Sequence, residues 1–265
     1  MKITKDNLFV SIIDESLIDH FFKKPIRYNF ELALFCLPEV INGAWRQTVQ
    51  KVKRVFKKYP VRRHIHGPFM ELMYDSRDLD VRALAKRKVE QGLNIAGSIG
   101  AKHIVFHSTY NPLKAIDARY SIVWNYRSAK FWHEMIPCAR RNNCTIVIEN
   151  IFEERPDILK KLIRTVNSPL FKGCLDVGHA HIFSTVSLEK WITVLGKDLA
   201  HVHMHDNKKK NDDHFGLGRG TINFKKFFSS FANLPHMPAF VLEVKNEAEL
   251  NRSLRYLKKN GYWYD

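Results

Sequence analysis

The stretch Gly100-Ala-Lys-His-Ile-Val-Phe-His107 places an apolar β-type run behind a glycine and ends it in an imidazole. Thr145-Ile-Val-Ile-Glu149 has the same shape and ends in a carboxylate. Working outward, six further runs follow the pattern: LFVSII (8–13), YNFELAL (28–34), HIH (64–66), GCLD (173–176), AHVHMH (200–205) and AFVLE (239–243). Most are of strand length and carry β-branched or aromatic residues.

Segments of helical periodicity lie between the runs. Residues 82–99 carry Leu84, Val89, Leu93 and Ala96 at helical spacing, which predicts a common apolar face. Residues 121–141 and 247–259 read the same way, and Ser187 is a plausible N-cap for a helix that follows it. Strands alternating with helices predict parallel strands joined by crossovers. Eight such units predict an α/β chain folded as a (β/α)8 TIM barrel. An open doubly wound sheet is the competing arrangement, but no G-x-G-x-x-G follows the first run.

The length of 265 residues suits one barrel or two small domains. No linker, low-complexity stretch or compositional break marks a boundary, so a single domain over 1–265 is expected. Hydrophobic residues make up 45% of the chain, enough for a sizeable core. No apolar run reaches the roughly 18 residues a membrane span needs. The N-terminus lacks a signal-peptide pattern, which predicts a cytoplasmic protein without a membrane partner. Cys36, Cys138, Cys144 and Cys174 form no C-x-x-C pair, so a thiolate zinc site is not expected; Cys36 and Cys174 read as buried. The net charge of +16 favours a phosphate-bearing small molecule or a nucleic acid as partner. Arg62, Arg63, Lys208, Lys209 and Lys210 are the candidate phosphate contacts.

The chemistry lies at the ends of the runs. His66, His107, Glu149, Asp176, His203 and Glu243 end six successive predicted strands, and in this fold the carboxyl ends of the strands surround the active site. Asp176-Val-Gly-His179 adds an imidazole three residues after a carboxylate, with the glycine read as serving a tight turn. Asp212-Asp-His214 adds two more groups on one side of a loop. Imidazole nitrogen and carboxylate oxygen suit zinc, and also manganese, iron or cobalt. Nine candidates exceed what one ion needs and imply up to three, with Glu149 as a possible bridge. His205 competes with His203, and Asp213 with Asp212. His64, His103 and His201 read as core or supporting histidines, and Glu31 as a candidate buried acid near the site. His20, His133 and His236 read as surface or packing residues, and His181 as a neighbour of His179.

These motifs resemble the xylose isomerase-like TIM-barrel superfamily, which holds endonuclease IV-like enzymes and sugar phosphate isomerases and epimerases. The resemblance rests on H-G-P-F (66–69), G-A-K-H-I-V-F-H (100–107), I-E-N (148–150), L-D-V-G-H-A-H (175–181), H-M-H-D-N (203–207), D-D-H (212–214) and G-L-G-R-G-T-I-N-F (216–224). It implies one of two activities. The endonuclease IV-like pattern matches all nine residues and implies a three-zinc phosphoester hydrolase acting on a phosphate-bearing substrate, abasic DNA among them. The isomerase pattern uses Glu149, Asp176, His203 and Glu243 for one ion and implies proton transfer on a sugar, with Glu149 and Glu243 catalytic. The complete set of nine favours hydrolysis. The glycine-rich first-strand segment of endonuclease IV is missing, and that family's usual Asn is replaced by His205.

Overall fold

The computed structural model describes residues 3–14, 17–18, 28–59, 61–114 and 119–263. Eight parallel strands close into a barrel in sequence order. They are β1 (Leu8–Ile12), β2 (Asn29–Leu32), β3 (Arg63–His66), β4 (His103–His107), β5 (Thr145–Glu149), β6 (Phe171–Asp176), β7 (Leu199–Met204) and β8 (Ala239–Leu242). The apolar run at 28–34 does not stay extended. Its chain leaves the barrel at Leu32 and turns into a 3-10 helix over Ala33–Cys36.

Helices cover the outside of the barrel. That at Leu79–Ile99 starts where the Asp78 carboxylate accepts hydrogen bonds from the backbone N–H groups of Asp80 (2.8 Å) and Val81 (3.3 Å). It stops at Gly100, which holds a left-handed φ of 71° at little steric cost. Leu84 does not join its buried face: the side chain is 39% exposed, and Ala85 turns inward beside Val89, Leu93 and Ala96. The helix after Ser187 spans Leu188–Leu195, with the Ser187 hydroxyl accepting from Lys190 N at 3.4 Å. All four cysteines are buried and free. Among the described residues, no helix is long and apolar enough to cross a membrane.

The main apolar core lies between the strands and the surrounding helices. The interior of a TIM barrel is ordinarily filled by layers of Val, Ile and Leu. Here two small apolar groups, Phe9/Ala239/Val241 and Val105/Val147/Cys174, share it with buried Glu31, His64, His201 and His203. A column of polar side chains therefore runs through the middle of the molecule.

Candidate metal centre

The strand register brings the sequence-predicted groups to one mouth. His107 pairs with Glu149 across β4 and β5, and Asp176 with His203 across β6 and β7. Glu149 is the central acceptor. Its Oε2 lies 3.3 Å from His66 Nε2, 3.7 Å from His107 Nε2 and 3.5 Å from His203 Nδ1, and its Oε1 lies 3.3 Å from His179 Nδ1. Around His203 Nδ1 stand Glu243 Oε2 at 3.1 Å and Asp176 Oδ2 at 3.9 Å. A further group forms about Asp212, whose Oδ2 is 3.2 Å from His179 Nε2 and 3.0 Å from His214 Nε2. The nine side chains thus form three overlapping groups, joined by Glu149 and His179.

Local hydrogen bonds set the ring orientations. Nδ1 of His66, His179 and His214 lies 3.0, 3.0 and 2.8 Å from the carbonyl oxygens of Gly67, Asn150 and Glu243. A carbonyl only accepts, so each Nδ1 carries a proton; Nε2 of His66 faces Glu149, and Nε2 of His179 and of His214 face Asp212. Asp176 also caps the helix Val177–Phe183, accepting from His179 N at 2.6 Å. Asn150 ties the ends of β5 and β6: its Oδ1 accepts from Asp176 N (2.9 Å) and its Nδ2 donates to Asp176 O (3.1 Å). The loop bearing Asp212 and His214 is anchored by Asp206. Its carboxylate accepts from the N–H groups of Gly218 (3.0 Å), Gly220 (2.8 Å) and Ile222 (3.2 Å), which accounts for the G-L-G-R-G-T-I stretch.

The charges balance one another. Burial alone would raise the Glu149 carboxyl, yet His203 and His107 hold it well below the usual range. Glu243 is also lowered against its burial, chiefly by His203. His203 and His179 are raised well above ordinary imidazoles despite burial, His203 beside Cys174 and Glu243, His179 beside Asp176 and Asp212. His107 goes the other way, to about 3, because burial outweighs Glu149.

Other placements differ from the sequence reading. His205 is a tenth group at this mouth, its Nε2 3.2 Å from each Asp176 oxygen and 3.6 Å from Asp212 Oδ1. It does not displace His203, because β7 ends at Met204 and His205 leaves the strand's alternation. Gly178 serves no tight turn: it is helical, and a side chain there would meet the His205 ring. Arg62 and Arg63 are not brought to the mouth. Both lie at the amino end of β3, on the opposite side of the barrel, where Arg62 pairs with Asp6 (3.3 Å) and Arg63 covers the Phe56 ring. Lys208, Lys209 and Lys210 are exposed on the loop leading to Asp212. His181 turns to Thr221 (2.9 Å), His236 to the Leu199 carbonyl (3.0 Å), and His133 is exposed. His20 lies outside the described residues.

The centre fits a divalent ion. Both nitrogens of His203 and both oxygens of Glu31 are buried without a well-aligned hydrogen-bond partner. One ligand atom from each of His66, His107 and Glu149 lies within 4.8 Å of the others, as do those of His66, His203 and Glu243 and of His205, Asp212 and His214.

Comparison with known proteins agrees with this architecture. A family profile described as "Xylose isomerase-like TIM barrel" matches residues 30–260. The uncharacterized protein MJ1311 of Methanocaldococcus jannaschii is 25% identical over 210 residues, covering 76% of this chain and 71% of its own. The TTHB071 protein from Thermus thermophilus, solved after soaking with ZnCl2, superposes with a TM-score of 0.79 at 21% identity over 96% of this chain and 97% of that one. A D-tagatose 3-epimerase-like protein does so with a TM-score of 0.81 at 20% identity over 96% of each.

Proposed function

Since the chain belongs to the xylose isomerase-like TIM-barrel family, we propose that it is a divalent-metal-dependent isomerase or epimerase of a polyhydroxy carbonyl compound, a sugar or sugar phosphate. The observation that carries this reading is the pair of carboxylates about one imidazole nitrogen: Glu243 Oε2 and Glu149 Oε2 lie 3.1 and 3.5 Å from His203 Nδ1. With Asp176 they make a four-ligand set that would hold one ion, whose charge would polarise a substrate carbonyl and its neighbouring hydroxyl and so acidify the adjacent C–H.

Proton movement falls to the two glutamates. Both carboxyls are lowered, so both are bases at neutral pH. Glu243 is the more open of the two, with 20% of its side chain exposed against 2% for Glu149. One carboxylate takes the proton from carbon. Its return to a neighbouring carbon gives an isomer, and return to the other face of the same carbon gives an epimer. His66 and His107 would bind substrate oxygens, and Lys208 to Lys210 a phosphate. The likeness to a D-tagatose 3-epimerase-like protein supports this choice.

Phosphoester hydrolysis is the second reading. It is favoured by the groups beside the four-ligand set, His66/His107 and His179/Asp212/His214, which would extend the centre to three ions. Isomerisation is favoured over hydrolysis because the two carboxylates share the buried centre of the ring, while two of the expected phosphate contacts, Arg62 and Arg63, stand at the other end of the barrel.

The test is incubation of chain loaded with Mn2+, Co2+ or Zn2+ with ketoses and ketose phosphates in D2O. The expected result is deuterium at a carbon next to the carbonyl, lost in Glu243→Gln. No deuterium in any substrate, together with cleavage of an abasic-site duplex by the same preparation, would overturn it in favour of hydrolysis.

A further inference from the structure

A basic cavity lies between the loops that follow β3 and β4. It has a volume of about 330 Å³ and is lined by Arg77, Lys114, Arg119 and Arg127 together with Asp75 and Tyr120. That volume falls at the lower end of the range for small-molecule sites, about 300–1,000 Å³. Asp75 and Arg77 come from the first loop, Lys114 and Arg119 from the second. Arg127 stands about two turns into the helix Tyr120–Arg141.

The cations are not matched by carboxylates in the wall. Asp75 is the only acid among the described lining residues, and its Oδ1 already accepts from the Thr109 hydroxyl at 3.0 Å. Among the described residues no carboxylate pairs with Arg77 or Arg127, and Lys114 Nζ lies 3.9 Å from the Met73 sulfur. Like charges gathered around one cavity repel, and an anion among them turns that repulsion into attraction. The two guanidinium groups supply planar forks that match phosphate oxygens. The Tyr120 oxygen accepts from Asn111 N at 3.1 Å, so its own hydrogen remains to donate to a ligand.

The cavity is tied to the mouth of the barrel. Thr109 stands two residues beyond His107, at most about 7 Å of chain. It holds a left-handed φ of 61°, a costly conformation for a β-branched residue. The Tyr74 hydroxyl lies against the carbonyls of His107 and Ser108. Tyr74 and Asp75 thus fix the loop bearing Arg77 to the end of β4. We infer that Arg77, Lys114 and Arg127 form a phosphate-binding pocket at the rim of the mouth, which takes a phosphate group carried on a small molecule or free as the anion. The pocket is separate from Lys208 to Lys210, which stand on the loop after β7. It does not depend on which reaction the ring performs.

The pocket is tested by calorimetric titration of the full chain with inorganic phosphate and with ribose 5-phosphate. Arg77→Gln and Arg127→Gln are each expected to weaken binding at least about tenfold, the scale of one lost charge-assisted contact. His107→Ala and Lys209→Gln should leave that binding in place, which separates the pocket from the ring and from the β7 loop. Tighter binding of the sugar phosphate, lost in the same arginine variants, identifies a carried phosphate. Equal affinity for the two probes identifies the free anion. No binding by the wild type at millimolar concentrations overturns the inference, as does wild-type affinity in both arginine variants. Affinity for a DNA duplex that Arg127→Gln weakens, with no response to either phosphate probe, overturns it in favour of a nucleic-acid backbone. Arg77 is exposed, so Arg77→Gln decides if Arg127→Gln does not fold.

Discussion

Glu31 Oε1 lies 3.0 Å from His203 Nε2, with both side chains fully buried. Burial would raise this carboxyl, but His203 and His201 hold it well below the usual range, so it is ionised. The contact turns Nε2 of His203 to Glu31 and leaves Nδ1 facing Glu149, Asp176 and Glu243, where an ion would be held with them. Glu31 therefore positions a ligand without being one. Glu31→Gln is expected to weaken metal binding about 10–100-fold, the usual cost of losing such a partner. Turnover should recover at saturating metal. Competition with a chelator measures the affinity, and an unchanged value would refute the positioning role.

Two histidines should separate sharply. His107 stacks on Phe69 at 3.9 Å and points its Nε2 at Glu149, whereas His133 is exposed on the helix Tyr120–Arg141. His107→Ala is expected to lower kcat/KM about 100-fold, the scale of a misplaced reacting group. His133→Ala should stay within about twofold, as for a surface substitution. Equal losses in the two variants would remove His107 from the site.

What could be read beforehand follows from strand periodicity. The runs 103–107 and 145–149 coincide with β4 and β5 because their outward residues pack under helices while the last residue turns to the mouth. Order along a strand also decides which mouth a side chain reaches. Arg62 and Arg63 precede the apolar part of β3, and that alone places them at the amino end. Charge density drew attention to them, but it carries no direction. His205 was legible only as a rival to His203, since alternation puts both on one face. The end of β7 at Met204, which frees His205 to turn toward Asp176, is a boundary that periodicity does not fix. Glu31 was visible as an odd acid in a strand, but its two histidine partners sit on a strand far away in sequence. Leu84 failed on the helix for a related reason. Spacing defines a stripe, and the neighbours decide whether it centres on Leu84 or Ala85.

His214 ties stability and metal binding to pH. Burial lowers its pKa, but Asp212 and Glu243 raise it to about 9. An unfolded histidine titrates near 6.5. In metal-free protein its contribution to stability is therefore fully present below about pH 6.5 and is lost as pH rises through about 9. The melting temperature of metal-free chain should fall over that window, and the fall should shrink in His214→Gln. Zinc must displace the same proton at neutral pH. Calorimetry in buffers of differing ionisation enthalpy should then show proton release on binding and affinity rising up to about pH 9. Binding at neutral pH without proton release would contradict this charge assignment.

Gly178 tests how tightly the centre is packed. A Cβ built there would stand 1.9 Å from His205 Cε1 and 2.4 Å from its Nε2. The ring has little room to retreat, because it stacks on His214 at 4.0 Å and holds both oxygens of Asp176. Gly178→Ala is expected to cost about 1–3 kcal/mol, as overpacking does, and to weaken metal binding by shifting Asp176. The origin is checked by a double-mutant cycle with His205→Ala, which removes the obstructing ring. If the clash is the cause, the alanine at 178 costs much less in that background. An equal cost in both backgrounds would show that the glycine is needed for the backbone and not for His205.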